Sequence, residues 1–165
     1  MTSDVVLRDV TEDDLPIFFE YQLDAAANHM VAFTVKDPAD REAFAAKWAR
    51  ILGDAAIVKK TILVGGQVAG NVVRFAQCGK PSVGYWVGKQ YWGRGVATKA
   101  LAEFLRHVTA RPLYARAAKD NQASLRVLEK CGFTICGEAK EFANARGAEV
   151  EAWLLVLRAN DSAER

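Results

Sequence analysis

Histidine occurs only twice in this 165-residue chain, at His29 and His107, too few to suggest a zinc site. The three cysteines, Cys78, Cys131 and Cys136, are odd in number and lack metal-ligand spacing. They read as reduced packing thiols rather than a disulfide framework. An excess of one charge sign is missing too: Lys and Arg total 22 against 20 Asp and Glu, a net charge of +2. That balance is too even to imply a nucleic-acid or membrane partner. No apolar run approaches the roughly 18 residues of a spanning helix. Met1-Thr2-Ser3-Asp4 lacks the basic-then-apolar start of a secretory signal, so a cytoplasmic location is expected. There is no repeat and no low-complexity segment. What remains, 51% hydrophobic and 25% charged residues, is the composition of a soluble globular protein, and the length suits one domain over residues 1–165. Residues 158–165 are polar and expected to fray.

The informative stretch runs from Ser82 to Leu105. Val83, Tyr85 and Val87 stand at period two, a strand signal. From Ala97 the apolar positions become Ala100, Leu101, Phe104, Leu105 and Val108, the stripe of an amphipathic helix. Between them lies Gly93-Arg94-Gly95-Val96-Ala97. Glycines at the mouth of a helix let backbone N–H groups converge, and the helix dipole adds partial positive charge there, which suits a phosphate. A dinucleotide fingerprint is disfavoured, because Thr98 stands at its last Gly/Ala position and no acidic residue occurs within Leu113 to Ala117. A P-loop is disfavoured because its Gly-Lys-Ser/Thr ending is missing.

Around this stretch, Val5 to Leu7 reads as a first strand. Thr11 or Asp13 can cap a helix with Leu15, Phe18, Phe19 and Leu23 on one face, and Pro16 fits only its first turn. Ala25 to Lys36 reads as a loop or a second short helical piece. Asp37-Pro38 is expected to open a helix that carries Phe44, Trp48, Ile51 and Leu52 and ends at Gly53. Ala56 to Val64 and Gln67 to Ala76 read as a hairpin about Gly65-Gly66. After the long helix, Leu113 to Ala117 gives a strand reached by a helical crossover, hence parallel to the one before it. Asp120 or Asn121 caps a helix over Gln122 to Lys130, ended by Gly132. Phe133 to Glu138 and Glu149 to Leu157 read as a closing antiparallel pair.

Two segments carry a family resemblance. Trp92-Gly93-Arg94-Gly95-Val96-Ala97 is similar to the pyrophosphate loop of the GNAT acyltransferases, Gln/Arg-x-x-Gly-x-Gly/Ala, with Trp92 at its first position. Gln90-x-x-Gly93-x-Gly95 matches in a second register. Asn121-Gln122-Ala123-Ser124-Leu125 through Lys130-Cys131-Gly132-Phe133 resembles the Asn-x-x-Ser…Leu-x-Lys-x-Gly-Phe helix that follows the fifth strand in that family. The Trp-Gly-x-Gly form is most like the ribosomal-protein alanine N-acetyltransferase branch. The resemblance implies an α/β (α+β) GNAT fold: a mixed, mostly antiparallel sheet of about seven strands flanked by about four helices, with parallel strands four and five splayed. It implies acetyl-CoA as cosubstrate, no metal, and an amine acceptor, either a peptide amino terminus or a small molecule, in a monomer or homodimer. It also implies site roles. The backbone of Tyr85, Trp86 and Val87 would pair with the pantetheine arm, and the Val87 N–H would donate to the thioester oxygen. The N–H groups of Gly93, Arg94, Gly95, Val96, Ala97 and Thr98 would hold the pyrophosphate, with Trp92 beside them. Asn121 would contact the cofactor, and Ser124 would protonate the departing thiol.

The chain departs from the family where some members carry a catalytic glutamate and a general-acid tyrosine: Arg116 and Leu128 stand there. A helix-first-turn serine satisfying a backbone N–H explains Ser124 equally well. Candidate bases are Glu141 or Glu138 at the end of strand six and His29 in the irregular stretch after the first helix, while His107 reads as structural. The acceptor cleft is expected along Asp24 to Lys36 and Phe142 to Ala148. Three readings stand: an N-acetyltransferase of a peptide α-amine, one of a small amine such as an antibiotic, polyamine or amino-acid derivative, and a non-catalytic acyl-CoA-binding module.

Overall fold

A computed structural model describes residues 4–159; of the tail expected to fray, residues 160–165 lie outside the described residues. The amino-terminal half gives strand β1 (Val5–Asp9), helices α1 (Leu15–Gln22), α2 (Ala25–Val31) and α3 (Arg41–Gly53), then strands β2 (Val58–Val64), β3 (Gln67–Gln77) and β4 (Lys80–Val87). Helix α4 (Val96–His107), strand β5 (Leu113–Ala118), helix α5 (Gln122–Lys130) and strands β6 (Thr134–Ala143) and β7 (Ala148–Leu157) follow. The strands form one sheet in the order β1-β2-β3-β4-β5-β7-β6. Every neighbouring pair is antiparallel except β4 and β5, which run parallel and share a single paired position, Ser82 with Tyr114. Beyond that position the two strands part, which is the expected splay.

The local signals explain most element ends. Gly65 and Gly66, at φ +57 and +82, make the two-residue turn that sets β2 against β3 with Val64 opposite Gln67. Helix α2 realises the second short helical piece and is the fifth helix, where about four were expected. The Asp24 side chain accepts from the Ala27 N–H and starts it. Helix α3 begins later than Asp37-Pro38 suggests. The Asp37 carboxylate accepts from the Ala39 N–H, in a local turn, and Asp40 is the residue whose carboxylate accepts from the Ala43 N–H of the first turn. Asn121, rather than Asp120, caps α5. Strand β6 runs five residues beyond Glu138, because β7 offers it pairing as far as Ala143 opposite Ala148.

Period-two alternation sorts the sheet's side chains into two layers. On one face, Leu101, Phe104, Leu113 and Leu128, all fully buried, lock α4 and α5 onto the strands. On the other, Phe18 and Phe19 of α1 and Phe44, Trp48 and Ile51 of α3 form an aromatic cluster with Val68 and Val73 of β3. A third cluster has Ala32, Ala118 and Ala143 as its buried residues, with Phe33 and Val150 packed against them, and brings the end of α2 close to the ends of β5 and β6.

Strand β3 carries one extra residue at Ala69, where the β2 register shifts. The bulge is put to use: the Ala69 carbonyl accepts the Gly88 N–H at 2.8 Å and the Val68 carbonyl accepts the Tyr21 hydroxyl at 2.7 Å. It therefore ties the end of β4 to α1.

Candidate active site

The parting of β4 and β5 opens a cleft of about 490 Å³. Its walls are β4 from Val83 to Val87, β5 from Ala115 to Ala118, the loop and first turn of α4, α5, and Ala27, Met30 and Val31 of α2. Because Gly88 N–H and the Trp86 carbonyl face β3, alternation turns the N–H and carbonyl of Tyr85 and Val87 into the open side. Among the described residues, those groups form a strand edge along the cleft that no other strand pairs with.

At one end of the cleft lies the glycine loop. Gly93 and Gly95 take φ +78 and +74, in the left-handed region that other residues rarely adopt, and Gly95 is the N-cap of α4. The first intrahelical bond runs from the Lys99 N–H to the Gly95 carbonyl. The N–H groups of Val96, Ala97 and Thr98 are the donors a first helical turn leaves over. Nothing lies within 4 Å of where a Cβ on Gly93 or Gly95 would sit. Three cations, Arg116, Arg126 and Lys130, line the same cleft, and no Asp or Glu does. An open loop of N–H donors in a carboxylate-free, cationic cleft is a fit for a phosphate-bearing ligand with an extended arm.

Trp92 is 43% exposed, and its indole N–H donates to the Val87 carbonyl at 3.0 Å. It packs against the end of β4 and covers one of the two polar groups Val87 turns outward. Arg94 sets its guanidinium over the Tyr91 ring, 5.6 Å from the centroid.

Ser124 and Tyr85 meet across the cleft with their hydroxyl oxygens 2.8 Å apart. Burial pushes the Tyr85 hydroxyl up to about 12, with the Ser124 contact opposing it only in part. Tyr85 therefore stays protonated at neutral pH. Asn121 lines the cleft, but its side chain has two local duties: Oδ1 accepts from the Ser124 N–H at 3.2 Å, and Nδ2 donates to the Met30 carbonyl at 3.1 Å. It fixes α5 to α2, placing Ser124.

The candidate bases are not brought to the cleft. Glu141 is held 2.6 Å from Arg116, whose guanidinium lies over the Phe33 ring at 4.2 Å. His29 is exposed at the end of α2, where its carbonyl accepts from Arg146 Nε at 2.8 Å while Arg146 also grips Asp120. Neither lines a cavity, and Glu138 is paired with Lys119. Leu128 is 1% exposed and serves the core.

A second cavity of about 340 Å³ lies on the other side of β4. It is lined by Phe18 and Gln22 of α1, Asn28 and Val31 of α2, Phe33 to Val35, Phe44, Lys47 and Trp48 of α3, Asn71 of β3 and Trp86 of β4. Trp86 and Val31 line both cavities. Of the two stretches expected to border an acceptor cleft, Asp24 to Lys36 contributes lining residues to both of these cavities and Phe142 to Ala148 to neither. The contribution of α3 was hidden in the sequence, where Phe44 and Trp48 look only like a helix's buried stripe.

The sequence matches the acetyltransferase (GNAT) domain over residues 4–134. The chain belongs to the GNAT acetyltransferase family. An uncharacterized N-acetyltransferase, p20 of Bacillus licheniformis, is 24% identical over 105 residues, which cover 61% of this chain and 58% of that protein. The chain thus spans a little over half the length of that relative. Mycobacterium smegmatis RimJ, solved with CoA-disulfide, superposes with a TM-score of 0.80 at 25% identity, over 95% of this chain and 83% of that one. Vibrio cholerae spermidine N-acetyltransferase, solved with CoA and spermine, gives a TM-score of 0.79 over 94% and 96% of the two chains. At 14% identity that second likeness is one of fold. Among the described residues no group of His, Cys, Asp and Glu could hold a metal ion, and no helix is long and apolar enough to cross a membrane.

Proposed function

We propose that this GNAT chain is an acetyl-CoA-dependent N-acetyltransferase that moves the acetyl group to a primary amine by direct attack in a ternary complex. The observation that carries the reading is the split sheet. A strand edge that turns the Tyr85 backbone groups and the Val87 N–H into the gap leads from the glycine loop at the mouth of α4 toward Trp86, which lines both cavities. RimJ of similar fold holds a CoA derivative, in keeping with this reading. Acetyl-CoA, when bound, supplies an acetyl group already activated as a thioester. The N–H groups of Gly95 to Thr98 would hold its pyrophosphate and the β4 edge its pantetheine arm.

The chain's own contribution to the chemistry is placement of two kinds of donor. The Val87 N–H, fixed on a rigid strand, meets negative charge as it develops on an acyl oxygen, the preorganised arrangement that usually contributes most. The Ser124–Tyr85 pair stores a proton beside the same cleft. As the C–N bond forms and the C–S bond breaks, Ser124 would pass its hydroxyl proton to the departing thiolate, with the Tyr85 hydroxyl donating to the serine oxygen. The proton shed by the acetylated amine would return to Ser124 through solvent. A base is not provided, since no Asp or Glu lines either cavity. An acceptor that sheds its proton easily is therefore favoured. An α-amine with a pKa of about 7.7–8.0 qualifies, whereas an alkylamine near 10.4 would need help.

The test is calorimetric titration with acetyl-CoA together with thiol release on adding amines. Binding in the micromolar range or tighter, and thiol release with at least one α-amine, are expected. Failure to bind acetyl-CoA would overturn the reading. Binding without transfer to any amine would leave an acyl-CoA-binding module in its place.

A further inference from the structure

The second cavity has three features that together specify an occupant. The first is Lys47, a cation drawn into an aromatic pocket. No carboxylate pairs with it among the described residues. Burial lowers its pKa, and the neighbouring Arg50 charge adds to the effect. A charge held there without a counter-charge is costly, and the ordinary remedy is an anion.

The second feature is a pair of orphaned oxygens. Asn28 is 7% exposed; its Nδ2 donates to the Gln22 carbonyl and, at 2.9 Å, to the Asp24 carbonyl. Two carbonyl acceptors fix which way the amide points. Oδ1 is left without a partner, as is Oγ1 of Thr34, whose residue also lines the cavity. A buried acceptor left unmatched is costly, so both positions favour an N–H donor brought up to them. The third feature is the lining itself, which holds aromatic rings and no acidic side chain. A polycation would find nothing to neutralise it.

We propose that the second cavity is the acceptor pocket and that its substrate is an α-amino acid or a compound of that kind. The apolar side chain would lie against Trp48 and Trp86, the carboxylate on Lys47, and the amine on the Asn28 and Thr34 side. Val31, on the same turn of α2 as Asn28, lines both cavities, so an amine on that side borders the cleft that carries the Val87 N–H. Burial among aromatic rings disfavours the ammonium form, which supplies part of the deprotonation that no residue performs. The inference rests on the acetyltransferase reading above, and its test separates the two.

Trp48 and Trp86 provide a binding signal that does not depend on turnover. Tryptophan fluorescence would be titrated, in the presence of CoA, with phenylalanine and with phenylalaninamide, in which a neutral amide replaces the carboxylate and the amine is less basic. Phenylalanine should bind at least 10-fold tighter, and Lys47→Met should erase that difference while leaving CoA affinity unchanged. In the thiol-release assay the same contrast should appear in the KM for the acceptor. Equal affinity for the two compounds, a Lys47→Met protein that still discriminates, or preferential binding of spermidine would overturn the inference. Discrimination without thiol release would instead uphold the pocket and overturn the transferase reading.

Discussion

The position that bears most on the cleft without lining it is Gly70. It lies opposite Val87 in the β3–β4 ladder, just after the Ala69 bulge. A Cβ placed there would sit 2.0 Å from the Trp86 carbonyl oxygen and 3.0 Å from both the carbonyl carbon and the Val87 Cα. Real contacts of that kind stay beyond 3.0 Å, so Gly70→Ala must push β4 back by about 1 Å. The obstacle is backbone held by a ladder, not a flexible side chain that can swing aside. The displaced segment is the Trp86–Val87 edge that would meet both the acyl oxygen and the acceptor.

Overpacking of this sort costs about 1–3 kcal/mol in stability, a fall in Tm of about 2–12 °C for a domain of this size. A displacement of about 1 Å in a catalytic group can cost about 100-fold in rate. The assay is kcat/KM with the preferred amine, beside a thermal melt and an acetyl-CoA titration. Gly53→Ala is the control: it ends α3, nothing lies within 4 Å of its Cβ, and it should be neutral or slightly stabilising. A Gly70→Ala enzyme with wild-type kcat/KM and Tm would show that β4 is not pinned where the chemistry needs it.

Gly95→Val puts a branched side chain at φ +74 and into the open space at the mouth of α4, so acetyl-CoA affinity should fall at least 10-fold, as calorimetry would read directly. Undiminished affinity would mean that the phosphate loop lies elsewhere. Ser124→Ala should lower kcat by about 100-fold with little change in the KM for acetyl-CoA, and Tyr85→Phe should lower it by less; a change confined to KM in either variant would assign the pair to packing. Asp14 is buried, and although burial alone would raise its pKa, Arg8, the Thr11 N–H and the Thr61 hydroxyl outweigh it and hold the carboxyl down at about 2. Its pKa is lower folded than unfolded, so its contribution of about 2.6 kcal/mol is complete above the unfolded value near 3.9 and lost as pH falls toward 2. Asp14→Asn should destabilise by about that much at pH 7 and flatten the acid limb of the melting profile.

The parts of this chain that were legible are those where backbone chemistry leaves a mark on residue type. Gly93 and Gly95 had to be glycine because of φ, and the change from period two at Val87 to period 3.6 after Gly95 follows from the strand giving way to a helix. Asn121 was legible as a residue of the site but not in its role, since an amide that caps a helix and one that contacts a ligand look the same in sequence. The splay of β4 from β5 followed only from resemblance: no residue between Ser82 and Val87 announces that pairing stops after one position. Helix α3 hid its function altogether. Phe44, Lys47 and Trp48 fall on an amphipathic stripe whose periodicity reports burial, and burial against a core and burial around a cavity give the same pattern.

On the reading proposed above, one short segment of β4 would serve both substrates. Alternation sends the Tyr85 and Val87 side chains to the α4–α5 face and Trp86 to the α1–α3 face, while their backbone edge lies in the gap between β4 and β5. A ligand arm entering by the glycine loop and an acceptor lodged among α1, α2 and α3 approach one strand from opposite sides of the sheet. On the proposed reading they would meet where Trp86 and Val31 wall both cavities. The bulge at Ala69 and the missing side chain of Gly70 hold that point in register, so on the proposed reading the neighbouring strand β3 would set the geometry of transfer through its backbone, with Asn71 opposite Trp86 as its side chain in the second cavity.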